Sequence, residues 1–308
     1  MLIADSPEQI QTPTAIALGN FDGIHRGHQM VLQPIIKSVA PWQPRLYSSV
    51  VSFSPHPREF FTGDKLQFLT PIPEKARQLS ILGIEQLILL PFNRDLASLS
   101  PQQFVKQIIL EQLKAKVISV GSDFRFGYQR QGTGKDLKTI AEGLGITVHL
   151  NSLHQYQRGD RTVRVSSSLI RQALQNGNIS TANAMLGRPY SLEGKVVTGQ
   201  QLGRTIGFPT ANLQLPPEKF LPRYGVYAVN VLLNGTTVKG VMNIGCRPTV
   251  AGNAPTIEVH LLNWSGDLYD LNLQVDLIKF LRPEQKFDDL KALKQQITKD
   301  CQAVLNNS

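Results

Sequence analysis

The sequence predicts an α/β protein in two parts, a doubly wound parallel sheet followed by a small antiparallel β-barrel with a C-terminal helix. Three observations point to it. The first half alternates short apolar runs with longer helical patterns, the second half has closely spaced strand-like runs broken by turn signals, and 308 residues exceed what one core usually holds, roughly 250 to 300.

In the first half, residues 14–18, 46–53, 86–91, 116–121 and 146–150 read as strands, each short and rich in Val, Ile and Leu. Between them, residues 27–40, 73–82, 101–113 and 135–144 read as helices, and Pro73 and Pro101 open two of these where a first-turn proline is tolerated. Strand and helix in alternation imply a mostly parallel sheet covered on both faces, with its ligand crevice beyond the carboxyl ends of the strands. Near Leu186 the pattern changes. Residues 192–198, 225–233, 237–244, 257–264 and 271–280 are strand-like, and Asn234-Gly235 is a hairpin turn signal. A terminal amphipathic helix over 287–305 follows Pro283. The boundary is placed in the LGRPYSLEG stretch, giving domains 1–185 and 186–308.

Hydrophobic residues make up 41% and charged residues 18%, the balance of an ordinary globular chain. No apolar run approaches the roughly 20 residues that span a bilayer, and the first residues lack the pattern of a signal peptide, so a cytoplasmic location without membrane partners is expected. Cys246 and Cys301 are too few for a disulfide framework. The net charge of +9 divides into +6 and +3 between the two parts. Such an excess suits nucleic acid or a site that holds several phosphates; no nucleic-acid motif accompanies it, and a phosphate substrate is the expectation. Arg158, Arg161, Arg164 and Arg171 concentrate the charge around a single acid, Asp160.

The strand TAIAL runs into GNFDGIHRGH, a glycine-rich turn that opens a helix. Gly19, Gly23 and Gly27 let the backbone approach a ligand closely, and the helix start offers N–H groups to phosphate. His25 and His28, three apart, share one side of the first turn. After the strand ending at Val120 comes GSDFRFGYQRQG, where Phe124 and Phe126 fit stacking on a flat ring and Asp123 a bond to its polar edge; core packing of alternate aromatics is the other reading. His56, in SPHP, follows a strand, and either approaches the nucleotide or marks a structural turn. In the second part, GRTIGFPTANL (203–213) is read as a loop in which Gly203 and Gly207 permit a tight phosphate-facing path, while Thr210 and Asn212 supply hard oxygens at i and i+2. In TIEVHLL, Glu258 and His260 alternate along a strand and share one face.

These blocks resemble the nucleotidyltransferase superfamily marked by His-X-Gly-His, which has a Rossmann-like sheet. More narrowly they resemble the bacterial bifunctional riboflavin kinase and FAD synthetase family, whose fingerprint GNFDGVHxGH differs here only at Ile24. The resemblance continues through SFSPHP, VSSSLIR (165–171), RYGVYA, GVMNIGCRPT and FLRPEQKF and covers essentially the whole chain, with Ser168 in the family's Thr place. It implies phosphorylation of riboflavin to FMN in the C-terminal part and adenylylation of FMN to FAD in the N-terminal part, with ATP and Mg²⁺ serving both. It also implies that His25 and His28 are catalytic on the ATP phosphates, and that Gly19, Asn20, Phe21, Asp22, Gly23, Gly27, Ser167, Ser168 and Arg171 bind that ATP. Flavin falls to Asp123, Phe124 and Phe126. In the kinase, Gly203, Gly207, Thr210 and Asn212 bind ATP, Thr210 and Asn212 hold the metal, and Glu258 is the base.

Overall fold

A computed structural model describes residues 1–39, 45–152, 154–158, 161–199, 203, 206–233, 235–249 and 252–306, and divides into two compact units, Met1–Ser167 and Ser168–Ser308. Ala40, Asp160 and Asn234, which entered the reading of the sequence, lie outside the described residues.

In the first unit a six-stranded parallel sheet has the order β1-β4-β3-β2-β5-β8, formed by β1 (Leu2–Ala4), β2 (Thr14–Leu18), β3 (Tyr47–Ser54), β4 (Gln86–Pro91), β5 (Ala115–Gly121) and β8 (Thr147–Asn151). Two short strands, β6 (Arg125–Phe126) and β7 (Gly132–Thr133), pair outside it. Strand alternation explains the two-faced core. Ile16 and Leu18 pack on one face with Phe104, Ile109, Leu137 and Ala141; Ala15 and Ala17 pack on the other with Leu32, Ile35 and Leu79. From β2 the chain winds outward through β3 and β4, then returns to β5 on the opposite side, so the order reverses between β2 and β5. In open α/β sheets that reversal opens a crevice at the carboxyl ends of the two strands.

The helices α1 (Arg26–Ser38), α2 (Pro57–Thr62), α3 (Ile72–Ile81), α4 (Arg94–Ser98), α5 (Pro101–Gln103) and α6 (Gly134–Glu142) cover the sheet. The helix expected over 101–113 departs from α geometry: after α5 it continues as a π-helix through Phe104–Gln112, and Leu113 N–H donates to Ile108 O at 2.9 Å. Its buried side chains are Phe104, Val105 and Ile109, and the capping residue Leu113 is buried as well. Strand β1 has no counterpart in the sequence reading.

A hairpin, β9 (Gln155–Arg158) with β10 (Arg161–Arg164), precedes α7 (Ser167–Gln175) and α8 (Ile179–Leu186). The second unit contains a closed antiparallel barrel of order β11-β12-β15-β14-β13-β16, comprising β11 (Tyr190–Val197), β12 (Ala211–Gln214), β13 (Gly225–Leu233), β14 (Thr236–Thr249), β15 (Gly252–Leu261) and β16 (Asn272–Arg282). Alternate residues such as Tyr227, Val229, Met242, Ile244, Val259, Val275 and Leu277 are buried and fill the barrel. On its outer surface α9 (Leu290–Asn306) packs Cys301 and Val304 against Val226, Ala228 and Val241. Strand β12 corrects the reading of 203–213 as a loop: Ala211 and Asn212 pair with Val259 and Glu258.

Candidate active sites

The loop between β2 and α1 sits at the sheet's reversal. Gly19 N–H donates to Val51 O at 3.2 Å, and a Cβ at Gly19 would crowd the Phe21 ring at 3.2 Å. Phe21 and Ile24 hold positive φ values of 46° and 42°. Such conformations cost roughly 1–3 kcal/mol each and persist only where the surroundings over-determine them. Here they do. Gly23 N–H donates to Thr70 Oγ1 at 2.9 Å, Thr70 N–H to Asp22 Oδ1 at 3.1 Å, Lys75 Nζ to Asn20 O at 2.7 Å, and Ser167 Oγ to Asp22 O at 2.8 Å. The Phe21 ring itself is core, packed among Ala17, Ile35 and Val50, so only its backbone is left to line the loop.

The His25 side chain caps α1, its Nδ1 accepting the His28 N–H at 3.2 Å. The two imidazoles stack with centroids 3.6 Å apart and planes 13° from parallel. Burial lowers the His25 pKa to about 4 against the opposing pull of Asp22. The ring is therefore neutral at pH 7, and with Nδ1 accepting, its proton sits on Nε2 as a donor. A Cβ on Gly27 would meet the His25 ring at 3.2 Å, which explains glycine there.

Across the crevice, after β5, the Arg164 guanidinium pairs with the Asp123 carboxylate, both half-exposed. Phe126 is 6% exposed and wedged between Phe104 and Phe124, over Gly132, where a Cβ would come within 2.7 Å of its ring. The core-packing alternative thus describes Phe126, which does not present a face to flavin; Phe124 is only partly buried. His56 caps α2, with Nδ1 accepting from Arg58 N–H at 3.1 Å and its own N–H donating to Glu59 at 3.2 Å, the structural turn of the two readings. Ser167 begins α7, as expected; Ser168 and Arg171 follow along that helix and group with the second unit, where the Arg171 guanidinium lies 5.5 Å from the Phe220 ring centroid.

In the barrel, antiparallel register sets Asn212 opposite Glu258, and Glu258 opposite Asn243. Their neighbours Ala211, Leu213, Ile257, Val259, Met242 and Ile244 are buried, so the three polar residues form a row on the outward face. A Cβ on Gly199 would fall 2.2 Å from the Asn212 amide, so glycine makes the place for that side chain. Before β12, Phe208 N–H donates to Gly203 O at 2.8 Å, and Gly207 takes φ +89°. His260 Nδ1 is 2.8 Å from Pro209 O. A carbonyl only accepts, so that nitrogen carries the proton and His260 holds the residue before Thr210.

Comparison with known proteins agrees with this division. Residues 7–169 match the FAD synthetase family and residues 186–307 the riboflavin kinase family. The chain belongs to the bifunctional riboflavin kinase/FMN adenylyltransferase family. Relatives so described are 41% identical in Escherichia coli K12, over 94% of this chain and 91% of theirs, and 38% identical in Bacillus subtilis 168, over 96% and 92%. A solved structure from Streptococcus pneumoniae, described as a macrolide-efflux protein, superposes with a TM-score of 0.86 at 30% identity over 99% of this chain and 98% of that one. Among the described residues no helix is long and apolar enough to cross a membrane.

Within this family frame, the structure gathers Asn20–Gly23, His25, His28 and Ser167 around one loop, and Asn212 beside Glu258 on one barrel face. The sequence reading did not include Thr70, Lys75 or Asn243. Thr70 and Lys75 lie some fifty residues from the loop they hold, and no spacing links the two.

Proposed function

We propose that the chain carries out two successive ATP-dependent reactions, phosphorylation of riboflavin to FMN in residues 186–308 and adenylylation of FMN to FAD in residues 1–185. One observation carries it: each family match contains its own constellation, the capped histidine pair at the sheet's reversal in one and the Asn212–Glu258 pair on the barrel in the other. We place the chain in the cytoplasm, where ATP and flavins are available.

In the barrel, Glu258 takes the proton from the riboflavin 5′-hydroxyl as that oxygen bonds to the γ-phosphorus of ATP, and the bond to the β–γ bridging oxygen breaks to leave ADP. The oxygens of Thr210 and Asn212 are of the hard type that Mg²⁺ selects, and the space above Gly199 admits the Asn212 amide, so these residues fit the ion. Bound there, Mg²⁺ supplies charge neutralisation between the ATP phosphates. Gly203 and Gly207 shape the loop that faces those phosphates.

In the first part, a phosphate oxygen of FMN bonds to the α-phosphorus of ATP, and the bond from that phosphorus to the α–β bridging oxygen breaks to release pyrophosphate. Little covalent work falls to the protein; donors aimed at the charge that develops do most of it. His25 Nε2–H and His28 serve as such donors, with the N–H groups of the Gly19–Gly23 loop and the Ser167 hydroxyl on the remaining phosphates. Asp123 and Phe124 border the flavin.

Incubating the purified chain with riboflavin, ATP and Mg²⁺ and separating the flavins over time tests the reading. FMN should rise first and FAD follow at its expense. Unchanged riboflavin, with supplied FMN also unchanged, would contradict it.

A further inference from the structure

We propose that Lys75 is a positioning residue for adenylyl transfer: buried beneath the glycine-rich loop, its ammonium captures the Asn20 carbonyl and so turns the next peptide N–H, that of Phe21, toward the nucleotide. The inference rests on the assignment of ATP to residues 19–28 made above.

The geometry is compelled by the peptide bond. The Asn20 carbonyl and the Phe21 N–H belong to one planar trans unit and point in opposite directions. With the carbonyl drawn to Lys75 Nζ at 2.7 Å, the N–H is directed away from the lysine. The carbonyl two residues on is treated likewise, Asp22 O being drawn to Ser167 Oγ at 2.8 Å, while Thr70 Oγ1 accepts the Gly23 N–H and Thr70 N–H donates to the Asp22 carboxylate. Segment 70–75 thus sets the orientation of the peptides on either side of Phe21–Asp22, and Phe21 is held at a φ of 46° that its own preferences oppose.

A lysine head is seldom buried, because removing an ammonium from water is costly unless it is paired. Lys75 is 6% exposed. Burial draws its pKa down and the Asp22 carboxylate draws it back up. Both groups that keep the charge in place, the Asn20 carbonyl and the Asp22 carboxylate, belong to the loop it would orient. A lysine serving packing alone would have no reason to direct its head at this backbone.

The test uses the full chain. Lys75→Met preserves the stem and deletes the ammonium; Thr70→Val preserves shape and deletes one hydroxyl. Initial rates of FAD formation from supplied FMN are measured against ATP and against FMN, with FMN formation from riboflavin followed in the same preparation. For Lys75→Met, kcat/KM for ATP in adenylyl transfer should fall roughly 10- to 100-fold, the range in which small misplacements act, while KM for FMN stays within about twofold and riboflavin phosphorylation is unchanged. Thr70→Val should show a smaller loss of the same kind. A kcat/KM for ATP within about threefold of the unsubstituted chain, or an equal rise in KM for both substrates, would overturn the proposal. If Lys75→Met abolishes the unfolding transition of the first unit, Thr70→Val decides by the same criterion. An unsubstituted chain that forms no FAD would instead overturn the assignment of ATP to the loop itself.

Discussion

Burial keeps the His25 imidazole neutral down to about pH 4, and the bond from the His28 N–H fixes which nitrogen carries its proton. The sequence showed two histidines on one helical turn. It did not show that one caps the helix, because a histidine cap is read from backbone conformation, and residues such as Ser or Asp are the usual signal. Lys75 was invisible for a related reason, since its partner is a carbonyl contributed by a distant loop. The lowered pKa has a consequence for stability. Between about pH 6.5 and pH 4 the unfolded chain binds a proton at His25 that the folded chain does not, so acidification favours unfolding in that window. The loss approaches about 3 kcal/mol on the scale of 1.36 kcal/mol per pKa unit. Urea unfolding of the first unit followed at a series of pH values should show this slope, and His25→Asn, which keeps a capping acceptor but does not titrate, should lack it. Equal slopes in the two proteins would mean that His25 is not protonated on unfolding.

The strands and helices of the first unit were mostly legible because their apolar spacing is regular; residues 14–18 and 86–91 coincide with β2 and β4. Several elements escaped, among them one strand of the sheet and one of the barrel. Strand β1 has three residues at the sheet edge, and β12 has four within a run of Gly, Pro, Thr and Asn that reads locally as turn chemistry. What makes β12 a strand is pairing with β15, whose residues lie over forty positions away. That pairing puts Asn212 against Glu258, and so the proposed kinase site was legible as motifs but not as a register. Helix α9 is tied to β16 by a similar long-range contact: Arg282 Nε meets both Asp300 oxygens at 3.1 Å, its Nη2 meets Oδ2 at 2.8 Å, and Gln296 adds a bond at 3.0 Å. Asp300→Ala would leave the largely buried guanidinium unpaired and should destabilise the second unit by about 3 kcal/mol. Asp300→Leu combined with Arg282→Met should recover most of the loss in denaturant unfolding. A full loss retained in the double variant would mean that packing, not the stranded charge, sets the cost.

Over the whole molecule, two unrelated architectures each carry one activity, and the order of the reactions, barrel first and sheet second, runs opposite to the order of the chain. Composition did not distinguish this arrangement from a nucleic-acid binder; the long motifs did, and the strand order then explained why the glycine-rich loop and the Asp123 turn flank the same reversal. Two chemistries at separate sites should be separable by single substitutions. His28→Ala removes the proposed donor for adenylyl transfer, and Glu258→Gln keeps the size of the side chain but removes the proposed base. In one assay of each purified variant, with riboflavin supplied in one reaction and FMN in the other, Glu258→Gln should lose roughly 10²- to 10⁴-fold in FMN formation while still converting FMN to FAD. His28→Ala should lose on the order of 10²- to 10³-fold in FAD formation with riboflavin phosphorylation intact. A variant that loses both reactions together, or Glu258→Gln with kinase activity within a few fold of the unsubstituted chain, would contradict two independent sites built on these residues.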